Sequence, residues 1–220
     1  MAQYTPDQVF GLACAAYDDA RFLVREMSNI AAQVIEDFPV NVPMGQYDLV
    51  LQAALLNAAV SDGKFEDIEK QFIAKITDYC DLMLLINAEL KNEVEDWVDI
   101  TWDHVAVLDE ETRNKLVGIS VAIVEKHTES LVKLFAIIDK AIEERDFIAE
   151  LREITTRIIV TFTLVDGDDL ESENVKNEAL HALAVFEYIV GQKWSAITDE
   201  TDEPSAEDTP ADAPDSADGE

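Results

Sequence analysis

Apolar residues recur every three to four positions along most of the chain, and no alternation of period two is sustained. That pattern predicts an all-α fold, with helices packed on one side and no sheet. The first helix signals its own start. Thr5 is an N-cap, Pro6 takes the first helical position, and Gln8 completes a capping box. Val9, Leu12, Ala13, Ala16, Phe22, Leu23 and Met27 form its expected inner stripe, and "PVNVP" is expected to end it near Phe38. A second helix is expected from Gln46 to Val60. Its "LVLQAALLNAAV" is apolar almost all round, which places it at the centre. Gly63 follows as a left-handed stop.

The third helix is expected to open near Phe65, with Ile68, Phe72, Ile73 and Ile76 on one face. "LMLLINAELKNEVEDWVDITW" predicts further helix, broken once. Asp109 is an N-cap, and Glu110 and Glu111 sit in the first turn after it, where the helix dipole favours acids. Helix then follows helix to Val165, with joints at His127 or Thr128 and at "EERD" near Arg145. A last helix is expected from Glu171 to Val190, with Leu180, Leu183, Ala184, Phe186 and Ile189 facing inward.

From Thr198 onward the pattern stops. "TDETDEPSAEDTPADAPDSADGE" holds ten acids, no base and no aromatic residue, the composition of a disordered tail. Such a tail solubilises, or it serves as a docking or counter-ion segment. Three regions result: residues 1–43, an N-terminal helix packing on the domain; 44–197, a helical domain; and 198–220, the acidic tail.

Charge narrows the function. The chain carries 47 acids against 16 bases, a net charge of -31, and the ten tail acids leave about -21 for the rest. So few cations build no phosphate-binding patch, which argues against nucleic acid and against an anionic membrane surface. Ten lysines against six arginines is more lysine than expected of a salt-adapted chain. No apolar run reaches the length of a membrane span, and "MAQYTPDQVF" lacks the pattern of a secretory leader. Cys14 and Cys80 lie far apart in apolar-patterned stretches, the usage of buried free thiols in a reducing compartment. The expected location is cytoplasmic.

Few catalytic devices are present. There is no nucleophile elbow, no phosphate-cradling glycine loop and no Cys-x-x-Cys. Glu178 and His181 make one Glu-x-x-His on a shared helix face, whereas a carboxylate-bridged iron site needs two such motifs and two further glutamates.

Two segments stand out. In "NAAVSDGKFEDIEKQF" a helical run meets Asp62-Gly63 and then Glu66, Asp67 and Glu69. In "TFTLVDGDDLESENVK" it meets Asp166-Gly167 and then Asp168, Asp169, Glu171 and Glu173. Asp-Gly stops a helix unaided, and the acids after it suit the first turn of the next one. The same acids are hard oxygen ligands, suited to calcium, magnesium or manganese. Neither segment has the glycine and glutamate spacing of an EF-hand loop. The candidate cation-binding set is Asp62, Glu66 and Glu69 in the first copy, and Asp166, Asp168, Asp169 and Glu173 in the second.

The recurrence carries a resemblance. "LNAAVSDGKFEDIEKQFI" and "VTFTLVDGDDLESENVKNEAL" resemble the paired segments of the tellurite-resistance TerB family and of the related N-terminal domain of DjlA-type co-chaperones. The resemblance spans roughly Tyr47 to Ile189. The chain departs from it at Ser61, where the family prefers Ala, and at Val165 and the extra acid before Leu170. The family implies a bundle of about seven helices with an internal pseudo-repeat, a link to tellurite and other chemical stress, and no catalysis. It also implies a binding or scaffold role linked to divalent-cation-dependent surfaces and membrane-associated complexes, which here means binding divalent cations or a protein partner through the acidic Asp-Gly turns. The expected cofactor is at most a weakly bound divalent cation. A carboxylate-metal enzyme and a purely structural adaptor are the alternatives.

Overall fold

A computed structural model describes residues 4–61, 65–77, 79–93, 96–142, 144–165 and 172–201; of Glu93, Asn174 and 191–201 it places the backbone alone. The described residues form nine helices and no strand: α1 (Pro6–Val34), α2 (Val42–Ser61), α3 (Asp67–Lys75), α4 (Leu82–Glu93), α5 (Trp102–Val105), α6 (Glu110–His127), α7 (Glu129–Ala141), α8 (Phe147–Phe162) and α9 (Glu173–Thr201). The fold is all-α, as the helical period predicts. The count exceeds the seven expected, in part because α5 is a single turn, too short to leave a period in the sequence.

The start of α1 follows its sequence signal. Thr5 Oγ1 accepts from the Gln8 amide, and Gln8 Oε1 accepts from the Thr5 amide at 2.9 Å. Its end comes earlier than Phe38. The helix closes at Val34, and Asp37 then turns through φ 60°, a left-handed conformation that Asp tolerates. Helix α2 starts at Val42 and takes Pro43 into its first turn, where a missing N–H costs nothing. The boundary expected at residue 43 therefore falls inside a helix, and α1 contributes Ala13, Tyr17, Leu23 and Met27 to the same core as α2.

Helix α2 is the centre. Every residue from Tyr47 to Leu56 is buried, which is what all-round apolarity requires. It packs chiefly against α9, while α1 packs chiefly against α8. The Phe72 ring of α3 wedges between Phe10 of α1 and Phe162 of α8, with centroids at 6.1 and 5.7 Å. Gln52 is fully buried and fully used. Its Nε2 donates to the carbonyls of Ile76 and Cys80, and its Oε1 accepts from the Leu82 amide, so one side chain pins the α3–α4 connection to α2. Asn87 does the same for residues 97–100, accepting from Trp97 Nε1 and the Ile100 amide and donating to the Ile100 carbonyl.

Two expected inner faces need correction. Leu12 and Phe22 of α1 point to solvent, at 49% and 71% exposure; Tyr17, Ala20 and Val24 join the expected Val9, Ala13, Ala16, Leu23 and Met27 in the buried stripe. On α9, Leu180 is 62% exposed and Ala184 is also exposed; Val175, Ala179, Ala182, Phe186 and Ile189 face inward. The thiols are free and half-buried rather than fully buried, and burial raises the pKa of each. Helix α9 runs on to Thr201, beyond the helix end expected at Val190 and the tail boundary at 198. The remaining tail, residues 202–220, lies outside the described residues.

Candidate functional site

The two acidic segments are reached by helices that converge. The first segment joins α2 to α3 and the second joins α8 to α9. Asn57, in the last turns of α2, donates through Nδ2 to the backbone oxygen of His181 in the first half of α9 at 3.0 Å. Phe72 of α3 meets Phe162, the last residue of α8. The residues that flank the two Asp-Gly pairs thus lie at one end of the bundle. The two copies sit in unequal surroundings, since α3 has 9 residues and α9 has 29.

Among the seven nominated carboxylates, Asp62, Asp166, Asp168 and Asp169 lie outside the described residues, as do Gly63 and Gly167. The other three are placed. Glu66 is the N-cap of α3 and is exposed. Glu69 is buried at 8% exposure and turns back on the helix start, where Oε2 accepts from the Glu66 amide at 2.6 Å. Its carboxylate therefore serves as the far half of a cap, satisfying an amide that the first turn leaves open. Glu173 opens α9 and is exposed. Among the described residues no group of three or more His, Cys, Asp or Glu side chains is placed to hold a metal ion. Glu66, Glu69 and Glu173 do not form a site by themselves.

The sequence pattern missed a cation in this acidic region. Lys70 reaches Asp67 at 2.6 Å and Asp103, on α5, at 3.3 Å. Its hydrogen bond and charge hold the Asp67 carboxyl below its ordinary pKa, and the Asp67 carboxylate in turn raises Lys70. The Asp67–Lys70 spacing of three is visible in the sequence. Asp103, 33 positions away from Lys70, gives no local signal.

A second polar feature borders the first segment. Asn57, Ser61, Glu110, Arg113, Asn114 and His181 line a cavity of about 470 Å³ between the end of α2, the start of α6 and α9. The Glu178–His181 pair does not share one environment. Glu178 is 7% exposed and His181 is exposed, because the boundary of burial runs between positions three apart on α9. No helix among the described residues is long and apolar enough to cross a membrane.

No protein-family model, curated protein or solved structure matches this chain.

Proposed function

We propose that this chain is a non-catalytic, TerB-like module of the cytoplasmic response to tellurite and other chemical stress. It binds a divalent cation or a protein partner through the acidic Asp-Gly segments. The observation that carries the reading is the convergence of α2, α3, α8 and α9, which gathers the flanks of both segments at one end of the bundle. The net charge of -31 supports it, since such a field draws in cations and basic surfaces. The acids named for this role are Asp62, Glu66, Glu69, Asp166, Asp168, Asp169 and Glu173.

An open carboxylate site of this kind binds weakly, with Kd about 0.1–1 mM, the range of extracellular calcium modules. At about ten times Kd, linkage stabilises the fold by roughly 1.4 kcal/mol. In a domain of this size that raises Tm by about 3–6 °C. The test is thermal melting in millimolar calcium or magnesium against sodium chloride of equal ionic strength. A larger rise in the divalent salt supports specific binding. Coincident curves mean that salt only screens the charge, and they remove the cation reading.

A further inference from the structure

An apolar groove lies at the other end of the molecule. Val34, Ile35 and Phe38, from the end of α1 and its connection to α2, face Ala136 and Ile137 of α7 across a space of about 630 Å³. Val34 and Ile35 are 61% and 42% exposed. One wall carries two lysines, Lys133 and Lys140, in a chain where bases are outnumbered about three to one. Lys133 reaches back to Glu129 at 2.6 Å, and Lys140 has no ion-pair partner among the described residues. Glu36 and Asp37 line the opposite side, so the positive strip belongs to α7 alone.

Helix α9 leaves the bundle at this same end. Glu187 pairs with Arg152 on α8, and Arg145, just before α8, pairs with Glu26 in the second half of α1. The C-terminal half of α9 therefore runs beside the start of α8, six residues after the α7 terminus that walls the groove. Residues 202–220 follow, with eight acids, three prolines and no base. Fully extended, a segment of that length spans roughly 60 Å, enough to return to the groove.

We propose that this acidic C-terminal segment docks back into the groove between α7 and the α1–α2 connection. Its Pro-Ala faces lie on Phe38 and Ile137, and its acids on Lys133 and Lys140. Lys133 and Lys140 are two helical turns apart, about 10 Å along α7. In the sequence, Asp208 and Asp212 bracket Pro210-Ala211, so acids and apolar residues alternate over a few positions. Grooves with an aromatic floor take Pro-rich segments, which have little entropy to lose. Tethering raises the local concentration of the segment to the millimolar range, so weak contacts suffice. An acidic partner for this groove has to displace the tail first.

The test uses the full chain labelled with nitrogen-15. In one variant Glu207, Asp208, Asp212 and Asp215 become Gln or Asn; in another, Lys133→Gln and Lys140→Gln are combined. Neutralising the tail should shift the amides of residues 34–39 and 130–141 and leave the rest of the bundle in place. The lysine variant should shift the amides of residues 207–215, and 0.5 M sodium chloride should reproduce both effects. Groove amides unmoved by the tail variant, or shifts spread evenly over the surface, overturn the proposal. Groove shifts that grow with protein concentration and ignore the tail acids put a second copy there and overturn it equally.

Discussion

The Tyr17 hydroxyl donates to Oδ1 of Asp48 at 2.9 Å, across the α1–α2 interface, and neither residue has any exposed surface. The Arg21 guanidinium lies 5.6 Å from the Tyr17 ring centre and 4.9 Å from that of Tyr79. A buried carboxylate is tolerated only where donors surround it. With Asp48 ionised, Tyr17→Phe removes a hydrogen bond to a charged acceptor and costs about 1.5–3 kcal/mol. Tyr47→Phe removes only the bond to the neutral Thr155 hydroxyl, made at 2.9 Å, and costs about 0.5–1.5 kcal/mol. Urea denaturation of the two variants measures the order. Equal costs contradict an ionised Asp48.

The same tyrosines set the alkaline limit of the fold. Burial above all, then the charge of Asp48, drives the Tyr17 phenol far above its ordinary pKa. Burial raises Tyr47 likewise, against the opposing effect of its bond to Thr155. In the unfolded chain both phenols lose their protons near pH 10, while the folded chain keeps them. Above about pH 10 the folded state therefore binds more protons, and stability falls as pH rises. Below pH 10 this contribution is fully present. Stability measured from pH 9 to 12 should fall less steeply in the Tyr17→Phe, Tyr47→Phe double variant, although that variant starts lower. Parallel slopes contradict the buried phenols as the cause.

Gln52 fastens the α3–α4 connection to α2 through three hydrogen bonds. Gln52→Leu fills the same volume and leaves the carbonyls of Ile76 and Cys80 and the amide of Leu82 without their partner. Each orphaned buried group costs about 1–3 kcal/mol, so the variant should lose on the order of 3 kcal/mol or more. Hydrogen exchange should accelerate first in residues 76–82. A loss of protection distributed over all helices would mean that Gln52 braces the core in general.

On α9 the prediction separates two large apolar residues. Leu180→Ser should change stability by less than about 0.5 kcal/mol, as an exposed position does. Phe186→Ala, at 2% exposure, should cost about 3–5 kcal/mol. Chemical denaturation of both variants reads the difference, and a large loss at Leu180 contradicts the placement of this helix.

What was legible in the sequence follows from how local the physics is. The cap at Thr5, the cap at Asp109 and the joint at Thr128 depend on neighbours within four positions, and the structure has each of them. The central place of α2 follows from its composition alone. On α9 the pattern points to Leu180, which outweighs Ala179 and Ala182 in apolar surface, yet the two alanines face inward and Leu180 faces solvent. The salt link from Lys70 to Asp103 and the bond from Asn57 to His181 join distant positions, and no spacing announces them. Of the candidate site, the doubled Asp-Gly signal was plain. The capping duty of Glu69 is implicit in its three-residue spacing from Glu66, a spacing that suits a helix cap as well as a pair of ligands.

The central claim is that the acids at the two Asp-Gly segments bind a cation or a partner as a set. The most direct measurement is a calcium or magnesium titration followed by nitrogen-15 NMR. It is run on the chain as it stands and on a variant combining Asp62→Asn and Asp166→Asn. Asn keeps the turn and removes the charge. The expected result is saturable shifts with Kd about 0.1–1 mM, concentrated at Gly63, Gly167 and their neighbours and abolished in the variant. Shifts spread evenly over the acidic surface and the tail, or unchanged by the two substitutions, would contradict it and leave the acids as helix stops and solvated charge.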